Sequence, residues 1–198
     1  YERKDDPATN FLEPLLNISK QYDRSVGFFT GEALAHWGTS LYRIVQRDDY
    51  KVRLIMSVVV INSKDIALLE QYIDKKEGQK FDEWLSKKAD DILREAFNDS
   101  KDCDLQMRRK VLAWLIANDK LEIKIAQPCH HSNPGNHHAK CGIIHLEDGD
   151  SVAFDGSLNE TYSGWSTSGD HIRTYCSWKS DEQKDDLVES VDMFDKLW

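Results

Sequence analysis

Nothing in the 198 residues approaches the roughly eighteen consecutive apolar residues that a membrane helix needs, and no secretory leader pattern opens the chain. A soluble, cytoplasmic protein with no membrane partner is therefore expected. Cysteine is scarce: Cys103, Cys129, Cys141 and Cys176 are widely spaced in a chain large enough to bury a core without staples. That argues against a disulfide-built scaffold and for reduced thiols. Positive charge is also short, with 26 Lys and Arg against 35 Asp and Glu and a net charge of -9. A surface basic throughout, as a self-sufficient polyanion binder would carry, is excluded. Internal repeats are absent.

What is present fits one domain, spanning residues 1–198, at 40% hydrophobic content. The chain begins at Tyr1 without Met and stops abruptly at Trp198, as a piece excised from a longer multidomain protein would. Phe11 to Ile18 reads as a short helix and Ser25 to Phe29 as a strand. Thr30 then N-caps a helix through Arg47, with Leu34, Trp37, Leu41 and Ile44 at helical spacing. Val52 to Ile61 has the length and β-branched content of a buried central strand. Asp65 to Tyr72, Phe81 to Phe97 and Leu105 to Asn118 read as helices, and Leu121 to Ala126 alternates as a strand. Strands alternating with helices, followed by a hairpin, predict an α/β fold with a mixed sheet flanked by helices.

The chemistry concentrates in that hairpin. In His138 to Leu146 (HAKCGIIHL), alternation puts His138 and Lys140 on one face, an imidazole and an ammonium able to meet one phosphate. Glu147-Asp148-Gly149-Asp150 has the composition of a tight turn, and Ser151 to Asp155 reads as the return strand. The return carries Gly156-Ser157-Leu158-Asn159 back towards His138. Ser157 and Asn159 have a plainer reading as turn residues bonded to their own backbone, and Glu160 and Thr161 as the cap of a short helix. Acidic residues crowd Asp82 to Asp104 and Glu182 to Asp195, expected on helices away from the site, whereas Arg108, Arg109, Lys110, Lys120, Lys124 and Lys140 lie in or ahead of the motif.

A His-x-Lys strand followed by Gly-Ser-x-Asn resembles the signature of the phospholipase D superfamily, often called the HKD motif. The resemblance extends to Tyr22 to Thr30 (YDRSVGFFT), Leu34 and Lys51 to Ser57 (KVRLIMS), which resemble the opening of phospholipase D-like nuclease domains. Gly156 to Trp165, Gly169 to Trp178 and a closing helix ending Phe194-Asp195-Lys196-Leu197-Trp198 resemble nuclease domains fused ahead of helicases in bacterial restriction and phage-defence proteins.

The resemblance implies a phospholipase D-like mixed sheet and a metal-independent endonuclease that needs no cofactor. Its substrate would be DNA, with RNA as the alternative, and helicase domains would be fused to it. His138 would attack phosphorus to give a phosphohistidine, and Lys140, Ser157 and Asn159 would hold the phosphate oxygens. Superfamily members need two motifs facing one pocket. This chain has one His-x-Lys, which implies a homodimer with a shared active site. Where the family often carries Asp five residues after the Lys, this chain has His145, on the opposite face and given no catalytic role. Where related nucleases carry a Glu after Gly-Ser-x-Asn, it offers Asp170 as the orienter of His138. Competing readings are a degenerate domain kept for dimerisation or nucleic-acid docking, and a phospholipase. Cys129, His130, His131 and His137 match no zinc-finger spacing and read as a loop beside the pocket. Trp165 and Trp178 read as core or dimer-packing residues rather than base-stacking platforms.

Overall fold

The computed structural model of the chain describes residues 6–27, 29, 31–57, 103–126, 140–166 and 171–198. The expected helices Asp65 to Tyr72 and Phe81 to Phe97, and the extension of the second strand beyond Ser57, lie outside the described residues. Helices α1 (Glu13–Asn17), α2 (Ser40–Gln46), α3 (Cys103–Ala117), α4 (Tyr162–Ser166) and α5 (Asp181–Leu197) accompany strands β1 (Ser19–Val26), β2 (Lys51–Ser57), β3 (Leu121–Ala126), β4 (Cys141–Leu146), β5 (Ser151–Gly156) and β6 (Ile172–Cys176). The strands form one six-stranded sheet in the order β3-β2-β1-β4-β5-β6. β1, β2 and β3 are parallel, and β4, β5 and β6 continue antiparallel from β1. This is the α/β class with a mixed sheet that the pattern of elements predicts.

Alternation sorts the side chains onto two faces. Tyr22, Val26, Val52, Leu54, Ile144 and Phe154 join the larger core with Leu12, Leu16, Trp37, Ile44 and Trp165. Ile55, Ile143 and Ala153 face the other way and are covered by Leu187 and Phe194 of α5. Ser180 caps α5 by accepting from the Gln183 amide, with Asp181 and Glu182 in its first turn and Lys196 in its last, each complementing the helix dipole. Trp165 is a core residue as expected, whereas Trp178 is 52% exposed.

Two expectations are corrected. The first strand runs Ser19–Val26 rather than Ser25 to Phe29, because Asp23 and Arg24, which look like surface charges in sequence, are both buried with partners. Phe29 keeps only an isolated bridge to Glu160. The helix expected to continue to Arg47 is broken into a 3-10 segment, Gly31–Trp37, and α2. Gly38 takes φ +51° at the break, and a Cβ there would meet the Glu13 carboxylate at 2.4 Å. That carboxylate accepts from the Thr39 amide at 2.7 Å and its hydroxyl at 2.8 Å, so the chain turns onto a fixed acceptor.

Candidate active site

The sheet order reverses between β1 and β4: β1, β2 and β3 step one way, and β4, β5 and β6 the other. In open α/β sheets such a switch point, at the carboxyl ends of the parallel strands, is where ligands bind. Ser25 near the end of β1 pairs with Cys141 at the start of β4, and Cys141 pairs with Asp155 near the end of β5. The amino end of β4 and the carboxyl end of β5 therefore meet at this switch point.

Three of the five residues singled out in the sequence, Lys140, Ser157 and Asn159, lie among the described residues, just before β4 and just after β5. Lys140 directly precedes β4 and is half-buried; its carbonyl accepts from the Gly156 amide at 3.2 Å. That bond brings Ser157, next after Gly156, alongside the lysine's backbone; Ser157 and Asn159 are both half-buried. Strand alternation gives Lys140 the same face as Gly142 and Ile144, above the larger core. His138 and Asp170 lie outside the described residues, as do Cys129, His130, His131 and His137.

The local chain explains why this hairpin forms. Gly149 takes φ +99° in the turn, Asp150 donates its amide to the Asp148 carboxylate at 3.0 Å, and Leu146 closes the loop onto the Asp150 carbonyl at 2.8 Å. At the other end, Gly156 runs so close to the chain before β6 that a Cβ would lie 2.0 Å from the His171 carbonyl oxygen. The Ser157 amide donates to that carbonyl and the His171 amide donates back to Ser157 Oγ, each at 3.3 Å. These bonds tie Ser157 to the chain before β6 and are not the local turn bonds of the plainer reading. As acceptor the hydroxyl still carries a hydrogen that it can give to a phosphate oxygen.

The sequence reading missed what holds this loop. Glu160, expected at most to cap a helix, is buried, and its carboxylate accepts from Arg24 Nε at 2.9 Å, Tyr22 Oη at 3.1 Å and Trp37 Nε1 at 3.1 Å. Arg24 Nη2 also donates to the Leu158 carbonyl at 2.6 Å. The guanidinium lies over the rings of Phe154 at 5.0 Å and Trp165 at 5.8 Å. Burial, reinforced by the Glu160 charge, pushes the Tyr22 hydroxyl well above its usual range, so it remains a donor. The available signal was Arg24 itself: an arginine on the face of Tyr22 and Val26 requires a carboxylate within the core.

The opposite face carries a separate network. Arg53 donates twice to the Asp23 carboxylate, at 2.7 and 2.6 Å, His145 Nε2 lies 3.1 Å from it, and Gln21 donates at 2.9 Å. His145 Nδ1 is 3.1 Å from Ser151 Oγ. Arg53 also reaches Asp195 at 2.9 Å and stacks over Phe194 and Trp198. His145 thus helps to hold Asp23, the partner of the arginine that meets α5, and stands on the face away from Lys140. Burial tends to raise the Asp23 carboxyl, but the hydrogen bonds from Arg53 and His145 outweigh it and hold the group below the ordinary carboxylate range. The Cys141 thiol, beside the site, is pushed up by burial and stays protonated at neutral pH.

The fold that frames this site is α/β, a mixed sheet with a switch point at its centre. The chain is similar to solved structures of yeast tyrosyl-DNA phosphodiesterase. One mutant of that enzyme aligns over 90% of this chain and 31% of its own, at 12% identity and a TM-score of 0.41. The yeast enzyme without a named mutation aligns over 81% of this chain and 26% of its own, at 11% identity and a TM-score of 0.36. The present chain thus spans about a quarter to a third of those chains' length. No family model matches the chain, and neither does any curated protein.

Proposed function

We propose that this chain is a phosphodiesterase that cleaves DNA by covalent histidine catalysis, and that it is the nuclease module of a restriction or phage-defence protein. The observation that carries the reading is the hairpin, which sets Lys140 beside the Ser157-Leu158-Asn159 loop at the switch point of the sheet. Those residues supply a cation and two neutral donors to non-bridging phosphate oxygens, where transition-state charge gathers.

The remaining groups come from the motif. A neutral His138 attacks phosphorus, the bond to the leaving oxygen breaks, and the leaving alkoxide takes a proton from His138 of the partner subunit. Water then attacks the phosphohistidine, giving its proton to the partner's imidazole and releasing free His138. The cycle balances without a redox partner or cofactor. The two imidazoles titrate as a coupled pair, one neutral and one protonated in the competent state. Asp170 favours the charged form of His138 by accepting its second N–H. With one motif per chain, a homodimer completes each site, and fused helicase domains provide most of the affinity for DNA.

The test is incubation of the protein with labelled single- and double-stranded DNA in excess EDTA, beside a His138→Ala control. Cleavage in EDTA that is absent from the control is expected. Oligonucleotide binding that falls with salt, with no cleavage by a correctly folded dimer, would instead support the docking-domain reading, which the acidic overall charge favours.

A further inference from the structure

We propose that Arg24 and Glu160 form a positioning pair for the phosphate-binding loop: Arg24 fixes where Ser157 and Asn159 present their donors by gripping the carbonyl of the residue between them. The inference rests on the phosphodiesterase reading and adds to it two residues outside the recognised motif.

The argument starts from what a buried ion pair is good for. Taking both charges out of water costs about what their attraction returns, so an apolar pair of the same shape would hold the core equally well. Arg24 and Glu160 are 1% exposed each, and they stand where β1 meets the loop after β5. One edge of the guanidinium meets the Glu160 carboxylate and another meets the Leu158 carbonyl, the peptide oxygen flanked by Ser157 and Asn159. The rings of Phe154 and Trp165 stack on the guanidinium and fix its plane.

Glu160 is fixed in turn from two elements, by Tyr22 and Arg24 on β1 and by Trp37 on the 3-10 segment. With Leu158 only 2% exposed, the loop is pinned at a carbonyl and at a carboxylate two residues apart. Donors that meet a phosphate must be held within roughly half an ångström of the productive position. A planar fork bonded to backbone and carboxylate together supplies that tolerance, and a flexible ammonium of equal charge does not.

Arg24→Lys is the discriminating variant, because it keeps the charge facing Glu160 and loses the simultaneous bond to Leu158; Arg24→Ala strands Glu160 and risks unfolding. In wild type and Arg24→Lys, amide and indole resonances are followed while inorganic phosphate is titrated. The Trp37 Nε1–H and Arg53 resonances report that each protein is folded. In wild type, phosphate is expected to shift the Ser157 backbone and Asn159 side-chain amides. In the folded Lys variant the same shifts are expected to need roughly tenfold more phosphate or more, the scale on which misplaced binding groups act. On a phosphodiester substrate the loss should appear in kcat more than in KM, which a purely structural role would not produce.

An equal phosphate response in both proteins overturns the positioning role and leaves the phosphodiesterase reading standing. No response in either overturns that reading, and the positioning role with it.

Discussion

Glu160 carries a charge where solvent does not reach it, and three donors answer it. Removing the carboxylate leaves Arg24 buried and unpaired, so Glu160→Ala should cost about 3–5 kcal/mol, read as the shift in a urea unfolding midpoint. Tyr22→Phe removes one of three bonds and should cost about 1 kcal/mol in the same assay. Lys140 belongs to the proposed chemistry: it is half-buried and directly precedes β4. If Lys140 stabilises transition-state charge as proposed, Lys140→Gln should lower kcat by about 100-fold or more, read in steady-state cleavage kinetics. Asp23 gives a pH signature. Its folded pKa lies below the unfolded value of 3.8, so its contribution is complete above that value and disappears as pH falls through the folded pKa. Asp23→Asn should therefore flatten the loss of stability on acidification below pH ~4, as measured by denaturant unfolding across that range. Lys140, Ser157 and Asn159 could be singled out in the sequence by type and spacing, and their part in the chemistry is a proposal. Glu160 could not be, because its partners lie far away in the chain and only the fold brings them together.

At the scale of elements, the β4–β5 hairpin does the assembling, and its weak point is Gly156. A methyl there would collide with the His171 carbonyl, a backbone atom that yields only if β5 and β6 part. Gly156→Ala should destabilise the fold by about 1–3 kcal/mol and displace Ser157 as well, so activity per folded molecule should also fall. Gly142→Ala meets the Phe154 ring at 2.2 Å, and that ring is held between Phe11 and Trp165. It should cost stability on the same scale. The hairpin was readable from its turn composition and strand alternation, as were β3 and α3 from their periodicities. The start of β1 was hidden by Asp23 and Arg24, whose burial depends on Arg53 and Glu160. The break at Gly38 was hidden because apolar spacing continues across it, and the cause, the Glu13 carboxylate, belongs to another helix.

Among the described residues, the acidic closing helix and the lysine of the motif lie on opposite faces of the sheet. The acidic helix α5 lies over Ile55, Ile143 and Ala153, while strand alternation places Lys140 on the face of Gly142 and Ile144. The acidic residues of α5 therefore oppose nucleic-acid binding on the Lys140 face less than their number implies. If two subunits complete each site, mixing wild-type with His138→Ala subunits should make activity fall as the square of the wild-type fraction, whereas self-sufficient subunits give a straight line. The most direct measurement on the proposed histidine covalent catalysis is to quench a DNA cleavage reaction with alkali and map the modified peptide by mass spectrometry. A phosphodiester-derived adduct on His138, formed in EDTA and missing from His138→Ala, is the predicted result. Cleavage that proceeds without such an adduct and survives in His138→Ala would contradict it.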